Sequence, residues 1–241
     1  MPSIRLVVAL YEFVILLFSI SVHECAQGWM ASRLGDQTAR LEGRITLNPV
    51  RHIDPFGTFL YPALMIFGPL FGFTWFGDGS VLMGWGRAIP VNSRNLKKIT
   101  RDTNTITLAG PAANLLVAIA AFLLLVVIIF AVPGGRDLVS NSVEDSVSFG
   151  GSAVQALTLL GWLTIQINLG LIFFNILPIP PLDGGRILRN ILPYNSVQTF
   201  DQISRFSTIL IFVFGGIVVR LFLSPAMAVV GRLLFLLLNI H

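Results

Sequence analysis

The chain has 241 residues, of which 54% are hydrophobic and 12% are charged. Soluble domains carry about 25% charged residues, so this composition excludes an ordinary soluble globular protein. The formal net charge is +4 at pH 7, but the basic residues cluster at the ends of apolar segments, which is typical of membrane-protein loops rather than of a nucleic-acid-binding face.

Long apolar segments dominate the chain, and proline, glycine or charged residues separate them. A bilayer-spanning helix needs about 20 mostly apolar residues, so we predict an all-α polytopic membrane protein with about five or six transmembrane helices and a small membrane-associated β region. The predicted elements are a helix over Val7–Arg33, a β-tending stretch over Arg40–Pro49, a broken apolar segment over Phe56–Trp75, a helix over Thr103–Val132, a loop over Pro133–Gly151, a helix over Ala153–Leu177, and a pair over Ser204–Phe222 and Pro225–Ile240.

No internal repeat divides the chain. We therefore predict one integral membrane domain over residues 1–241, with a core over residues 7–190 and C-terminal helices over residues 204–240. The final pair is predicted as two spans or as one hairpin, since Pro225 interrupts it.

The basic residues predict which loops face the cytoplasm. The loops before the Thr103 helix and after the Ala153 helix are rich in arginine and lysine, whereas the loop between these helices holds only Arg136. The positive-inside rule places the two basic loops in the cytoplasm. Basic residues also precede Phe56–Trp75, so this segment is predicted to be re-entrant, which is permitted where it lines a protein cavity. An ordinary kinked span is the alternative.

His23, Glu24 and Gln27 stand in an otherwise apolar run of the first helix. Ionisable residues in such a run indicate a functional site, and a polar pair that joins two helices is the alternative. In a helical H-E-x-x-H motif, the two histidines bind one zinc ion and the glutamate acts as general base. Gln27 occupies the second histidine position, and its amide is a poorer zinc ligand than imidazole.

A second polar group lies between Asn175 and Gly185, where three prolines end the Ala153 helix. Asp183 is its single carboxylate. It either caps the next helix, as aspartate commonly does, or serves as a third metal ligand, since a catalytic zinc takes three protein ligands and leaves one position for water. Predicted topology puts Asp183 at a cytoplasmic helix end, and His23 lies about 15 Å along its helix from Arg33, so the two can meet.

The two motifs resemble the signature pair of the site-2 protease family of intramembrane zinc metalloproteases (peptidase family M50), and N-x-x-P-x-P-P-L-D-G matches in full from Asn175 to Gly184. Further stretches resemble compact bacterial members, so the resemblance covers most of the chain from His23 to Arg186. These stretches are Leu34-Gly35-Asp36, Gly43–Pro49, His52–Pro55, Ile89–Asn92, and Ala109-Gly110-Pro111 with Asn114.

The resemblance implies a role for each matching residue. It implies a Zn²⁺ cofactor with His23 as the first ligand, Gln27 at the second ligand position and Asp183 as the third ligand, Glu24 as the catalytic base, and Asn175 orienting substrate or the oxyanion. The implied substrates are transmembrane segments of proteins in a bacterial plasma membrane, cut within the bilayer toward its cytoplasmic side. The partners are therefore a transmembrane substrate and lipid, with no nucleic acid. Gly43–Pro49 resembles a membrane-embedded strand whose edge would bind an unfolded substrate segment.

Gln27 leaves three hypotheses open. The chain binds zinc weakly with an additional donor, or it is an inactive homologue that binds transmembrane clients, or it is a protease disabled by a substitution. His52 is a candidate donor, although a role in orienting its own turn is favoured. A transporter with broken helices is a further alternative, and the absence of an internal repeat in the sequence disfavours it.

Overall fold

The structure is a computed structural model that describes residues 2–67, 83–143 and 152–239. Within these ranges the regular structure is entirely helical. Its α-helices are α1 (Pro2–Arg33), α2 (Thr38–Leu41), α3 (Tyr61–Phe67), α4 (Ile99–Ala131), α5 (Gly135–Val143), α6 (Ala153–Ile176), α7 (Asp183–Ile191), α8 (Tyr194–Ile203) and α9 (Ser207–Leu238). Short 3₁₀ turns occupy Pro49–Arg51, Ser93–Asn95 and Ser204–Phe206, and a π-helical turn occupies Pro55–Leu60.

Four helical stretches in the described residues are long and apolar enough to cross a membrane, and they are Val7–Arg33, Ile99–Ala131, Ala153–Ile176 and Phe214–Leu238. The prediction of an all-helical integral membrane protein is therefore confirmed, whereas five or six spans are not. The predicted C-terminal pair is one continuous helix, α9, which passes through Pro225. A proline is tolerated inside a membrane helix because neighbouring groups satisfy the freed backbone carbonyl.

The predicted β region is not confirmed. Residues 40–49 contain the end of α2 and a series of turns, and no strand occurs anywhere in the described ranges. A single extended segment has no partner for ladder hydrogen bonds, so this stretch closes into turns such as that at Gly43, where φ is +65°. Residues 56–67 of the predicted re-entrant segment are helical, and its residues 68–75 lie outside the described part of the chain.

Helix α4 packs against α1 and α6, and α9 packs against α6. Leu16, Tyr61, Leu171 and Phe174 are fully buried in a cluster that joins α1, α3, α6 and α9. In a membrane such packing depends on close contact and on polar groups between helices. One such contact is the hydrogen bond of 3.0 Å that Asn168 Nδ2 donates to Ser19 Oγ.

Asp36 connects the turn after α1 to the segment that precedes α4. It is fully buried, and its carboxylate accepts hydrogen bonds from Thr38 N (3.1 Å), Thr38 Oγ1 (2.6 Å), Asn92 N (2.7 Å) and Asn95 Nδ2 (2.8 Å). Burial alone would raise the pKa of Asp36, but these hydrogen bonds to its charged form outweigh burial and lower the pKa. Asp36 therefore holds the carboxyl-terminal end of α1 against residues 92–95.

We expect Asp36→Asn to destabilise the folded protein by about 3 kcal/mol, because hydrogen bonds to a buried carboxylate contribute about 1.5–3 kcal/mol each. The folded-state pKa is lowered, so this stabilisation is present above the unfolded-state pKa of about 3.9 and is lost as the pH falls through the lower folded-state value. The measurement is thermal unfolding of both proteins in detergent between neutral and acidic pH.

The difference in Tm between the native chain and Asp36→Asn should shrink as the buffer is acidified. Glu42→Gln is the matched control, since Glu42 is an exposed carboxylate in the neighbouring turn. Equal losses of Tm in the two variants would contradict the role assigned to Asp36.

Candidate active site

The structure places His23, Glu24 and Gln27 on the bundle-facing side of α1, where each side chain is buried. Asp183, also buried, is the first residue of α7. Helix α6 ends at Ile176, and the proline-rich turn that follows brings α7 back against α4. Two polar groups 160 residues apart in sequence therefore meet inside the bundle.

His23, Gln27 and Asp183 are in direct contact. His23 Nε2 lies 2.9 Å from Asp183 Oδ2. Gln27 Nε2 lies 3.0 Å from each Asp183 oxygen, 3.2 Å from the Thr107 carbonyl oxygen and 3.1 Å from His23 Nε2. The Gln27 amide nitrogen therefore sits in the middle of the group and donates to the Asp183 carboxylate and to α4.

Asn114 on α4 contacts Nδ1 of His23, so the orientation of its amide group decides the tautomer of the imidazole. Asn114 is fully buried, and its Nδ2 lies 3.3 Å from His23 Nδ1. When Asn114 donates to Nδ1, the imidazole carries its proton on Nε2 and donates it to Asp183. Asn114 Oδ1 has no hydrogen-bond partner in the described part of the chain. A rotated Asn114 amide would instead accept from Nδ1–H, and the Nε2 lone pair would then be free for a metal.

Two glycines bring backbone close to these side chains. A Cβ added at Gly110 of α4 would overlap the His23 imidazole. A Cβ at Gly86 would lie 2.9 Å from Glu24 Oε1. A side chain at Gly110 would require the His23 ring to move, and one at Gly86 would require Ile20 and Glu24 to shift. Helix α4 therefore lies directly against His23, and residues 83–92 pass directly beside Glu24.

One carboxylate oxygen of Glu24 forms no hydrogen bond within the described part of the chain. This oxygen, Oε2, is buried. An unpaired buried carboxylate oxygen is costly unless something else binds it. The position suits a general base, which must lie within hydrogen-bonding reach of the proton that it abstracts.

Two other predicted residues, Asn175 and His52, form hydrogen bonds with partners outside this contact group. Asn175 is buried on α6, and its Nδ2 donates to the Leu171 carbonyl of its own helix at 2.9 Å. His52 Nε2 lies 2.8 Å from the Thr46 carbonyl oxygen, and the His52 carbonyl accepts from Arg87 N at 2.8 Å. In this arrangement His52 orients its own turn, whereas the predicted role of Asn175 toward a substrate stays a prediction.

The donor set fits zinc in part. Zinc bound at about 2.0–2.2 Å to nitrogen and oxygen in a tetrahedron has its ligand atoms about 3.3 Å apart, and the 2.9 Å between His23 Nε2 and Asp183 Oδ2 is close to this spacing. Gln27, however, presents an amide nitrogen, which has no lone pair for a metal. No group of three His, Cys, Asp or Glu side chains suited to a metal occurs within the described ranges. Two strong ligands are thus present where a catalytic zinc takes three.

Sequence reasoning missed Asn114 and Thr107 as parts of the site. Asn114 belongs to a stretch that carries the family resemblance, but no role was predicted for it. The available signal was a polar side chain within the apolar α4 sequence, which is a functional indication in a membrane helix. The contact of Gln27 with the Thr107 carbonyl leaves no such signal, because it depends on how α1 and α4 pack.

Comparison with known proteins gives consistent matches. Residues 11–214 match the model of the family described as "Peptidase family M50". The chain is 36% identical over 183 residues to "Putative zinc metalloprotease YwhC" of Bacillus subtilis (strain 168), covering 76% of this chain and 69% of that protein. It is 30% identical over 170 residues to "Putative zinc metalloprotease Rip2" of Mycolicibacterium smegmatis, covering 70% of this chain and 52% of that protein. No solved structure gives a significant match.

Proposed function

Because the chain belongs to peptidase family M50, we propose that it is an intramembrane zinc metalloendopeptidase whose metal site is weakened by Gln27. It hydrolyses peptide bonds in transmembrane segments of other proteins, as in regulated intramembrane proteolysis. The observation that carries the proposal is the convergence of His23, Glu24 and Asp183 inside a bundle of apolar helices.

His23 and Asp183 would hold zinc, which supplies Lewis-acid activation of water and of the scissile carbonyl. Glu24 accepts a proton from the attacking water at its unpaired Oε2 and returns it to the leaving amide nitrogen. Asn114 keeps the His23 imidazole in one orientation through Nδ1. Asn175 orients the substrate or the developing oxyanion. Burial of these groups in the bundle excludes bulk water from the reacting peptide.

The substrate binds beside residues 83–92. Gly86 brings this segment next to Glu24, and Arg44 supports it from the other side by donating to the carbonyls of Arg87 and Ala88. A substrate helix must first unwind to expose the scissile bond. The unwound segment then pairs by strand addition with Gly43–Pro49, which becomes an edge strand only when a partner strand is present.

The site opens toward the cytoplasmic side of a bacterial plasma membrane in this proposal. Helix α1 ends at Arg33, whose guanidinium carbon lies 5.1 Å from the centre of the exposed Trp29 ring. Tryptophan and arginine favour the membrane–water interface, and basic loops favour the cytoplasm. His23 is ten residues before this end, so the reaction takes place within the inner half of the bilayer.

A second candidate function is the binding of transmembrane clients without cleavage. The contact of Gln27 Nε2 with both Asp183 oxygens favours it, because the amide satisfies the carboxylate without a metal. In this second function, a client segment binds beside residues 83–92, at the position proposed for the substrate, and is not cut.

Cleavage of single-span reporter proteins separates the two candidates. The native chain and Glu24→Gln are co-reconstituted in vesicles with a panel of reporters and added zinc. The proposal expects a cleaved product from the native chain and none from Glu24→Gln. Crosslinking of the reporters to each protein measures binding in the same vesicles. Equal crosslinking to the native chain and to Glu24→Gln, with every reporter intact, would favour client binding and refute proteolysis.

A further inference from the structure

Three arginines surround a cavity of about 560 Å³ outside the catalytic group. Its lining consists of Glu42, Arg44, Asn48, Val50, Arg51 and Arg87. One carboxylate faces three guanidinium groups, so the lining carries a net positive charge. Arginine clusters of this kind bind phosphate and carboxylate groups through paired hydrogen bonds.

Arg44 has unused hydrogen-bonding capacity within this lining. It is 7% exposed, and its Nη2 donates to the carbonyls of Arg87 and Ala88. Its Nε is buried and has no partner in the part of the chain that the structure describes. Burial lowers the pKa of the Arg44 guanidinium, and repulsion from Arg87 and Arg51 adds to this effect, whereas attraction by Glu24 and Glu42 opposes it. A bound anion would satisfy Nε and offset both the burial and the repulsion.

Arg51 and Arg87 are exposed and form no salt bridge with a described residue. Two arginines elsewhere in the described residues do form salt bridges: Arg189 with Asp201 at 2.8 Å and Arg186 with Asp183 at 3.7 Å. The described residues therefore neutralise the positive charge at the cavity only in part, since one carboxylate, Glu42, faces three arginines.

The residues that line the cavity lie close to the carboxyl-terminal turns of α1. A Cβ built on Gly28 of α1 would lie 3.2 Å from Ile45 and 3.9 Å from Ile89. Ile45 follows Arg44, and Ile89 is two residues after Arg87, so both arginines lie beside the last turns of α1. Trp29 and Arg33 mark the same level as an interface. Lipid phosphates are found at this depth.

Apolar side chains adjoin the basic lining. Val50, which lines the cavity, is 70% exposed, and Leu47, which precedes the lining residue Asn48 in sequence, is 54% exposed. A basic cavity with an exposed apolar margin matches a molecule that carries a phosphate at one end and hydrocarbon at the other. An acidic side chain of a substrate would satisfy the charge but would leave the apolar margin uncovered.

We propose that this cavity binds the phosphodiester headgroup of an anionic phospholipid, with Arg44, Arg51 and Arg87 on the phosphate and an acyl chain along Val50. Lipid binding needs neither zinc nor Glu24, and the site shares Arg44, Asn48 and Arg87 with the segments that are proposed to bind the substrate. A bound lipid would anchor the turn after α1 to the lipid leaflet. It would also anchor the Arg87–Ala88 backbone, whose carbonyls accept hydrogen bonds from Arg44.

The test is binding of fluorescent phosphatidylglycerol and phosphatidylcholine to the purified full chain in detergent. We expect phosphatidylglycerol to bind more tightly, and Arg51→Gln or Arg87→Gln to weaken its binding at least about fivefold each, since an arginine near an anionic lipid contributes about this factor. Arg94→Gln is the matched control, because Arg94 is an exposed arginine outside the cavity, and its binding should equal that of the native chain. Unchanged Tm values verify that the variants are folded.

Three results would overturn the proposal. One is equal affinity for the two lipids. Another is an equal loss of phosphatidylglycerol binding in Arg94→Gln, which would indicate only general surface charge. The third is displacement of phosphatidylglycerol by inorganic phosphate or by an acidic peptide at comparable concentration, which would identify a soluble anion or a protein segment as the occupant. Failure of inorganic phosphate and of the peptide to compete supports a lipid source.

Discussion

Gln27→His is expected to increase the rate of reporter cleavage at least about 100-fold when free zinc is buffered at a low level. Loss of a partner that only orients a metal ligand already costs about 10–100-fold in metal affinity or activity, and a direct ligand should matter more. Residue 27 lies one turn after His23 and on the same face of α1, where its side chain already contacts Asp183. Histidine there supplies the lone pair that the amide nitrogen lacks.

Initial cleavage rates in vesicles measure this effect, with total protein and reporter held constant. Gln202→His is the matched control, because Gln202 is an exposed glutamine on α8, and its rate should match that of the native chain. Equal rates for the native chain and Gln27→His across the zinc series would contradict the conclusion that Gln27 limits the metal site.

Asp183→Ala is expected to destabilise the native chain by about 3–5 kcal/mol, the range for breaking a buried charged pair by removing one partner. Asp183 accepts from His23 and Gln27 and lies 3.7 Å from Arg186. Its removal takes away the acceptor of the buried His23 imidazole and leaves the buried Gln27 amide nitrogen with the Thr107 carbonyl as its one oxygen acceptor among the described residues. Thermal unfolding in detergent, with and without a chelator, measures the loss.

We expect the difference in Tm between the native chain and Asp183→Ala to be the same with and without chelator. The reason is that hydrogen bonds from Gln27 hold the Asp183 carboxylate in the native chain. Asp137→Ala, in the first turn of α5, serves as the control and should change Tm little. A Tm for Asp183→Ala equal to that of this control would show that the contact group contributes nothing to the fold.

The sequence predicts the long helices well because the membrane imposes a simple rule on them. Helices α1, α4 and α6 follow from apolar length and from the charged or proline residues at their ends. Helix α9 does not, because Pro225 is a breaker in the local pattern but is tolerated within a packed membrane helix. Helix α5 occupies part of the predicted Pro133–Gly151 loop, where its Val139 is fully buried against the bundle, a contact that no local pattern encodes.

The motif residues of the site can be predicted from the sequence, whereas the contacts between their side chains cannot. Spacing alone identifies His23, Glu24 and Gln27 as one group, and the proline-rich motif identifies Asp183. What Gln27 does depends on the packing of α1 against α4 and α7, which places its amide nitrogen on both Asp183 oxygens and on the Thr107 carbonyl. Sequence reasoning therefore predicts a poor ligand, and the structure adds that the amide forms its own set of hydrogen bonds.

Elemental mass spectrometry of the purified native chain, Gln27→His and Asp183→Asn measures the zinc content per chain and so reports on the metal site itself. We expect substoichiometric zinc in the native chain, about one zinc per chain in Gln27→His as in a three-ligand site, and the least zinc in Asp183→Asn. Stoichiometric zinc in the native chain that persists in Asp183→Asn would contradict the assignment of this metal site.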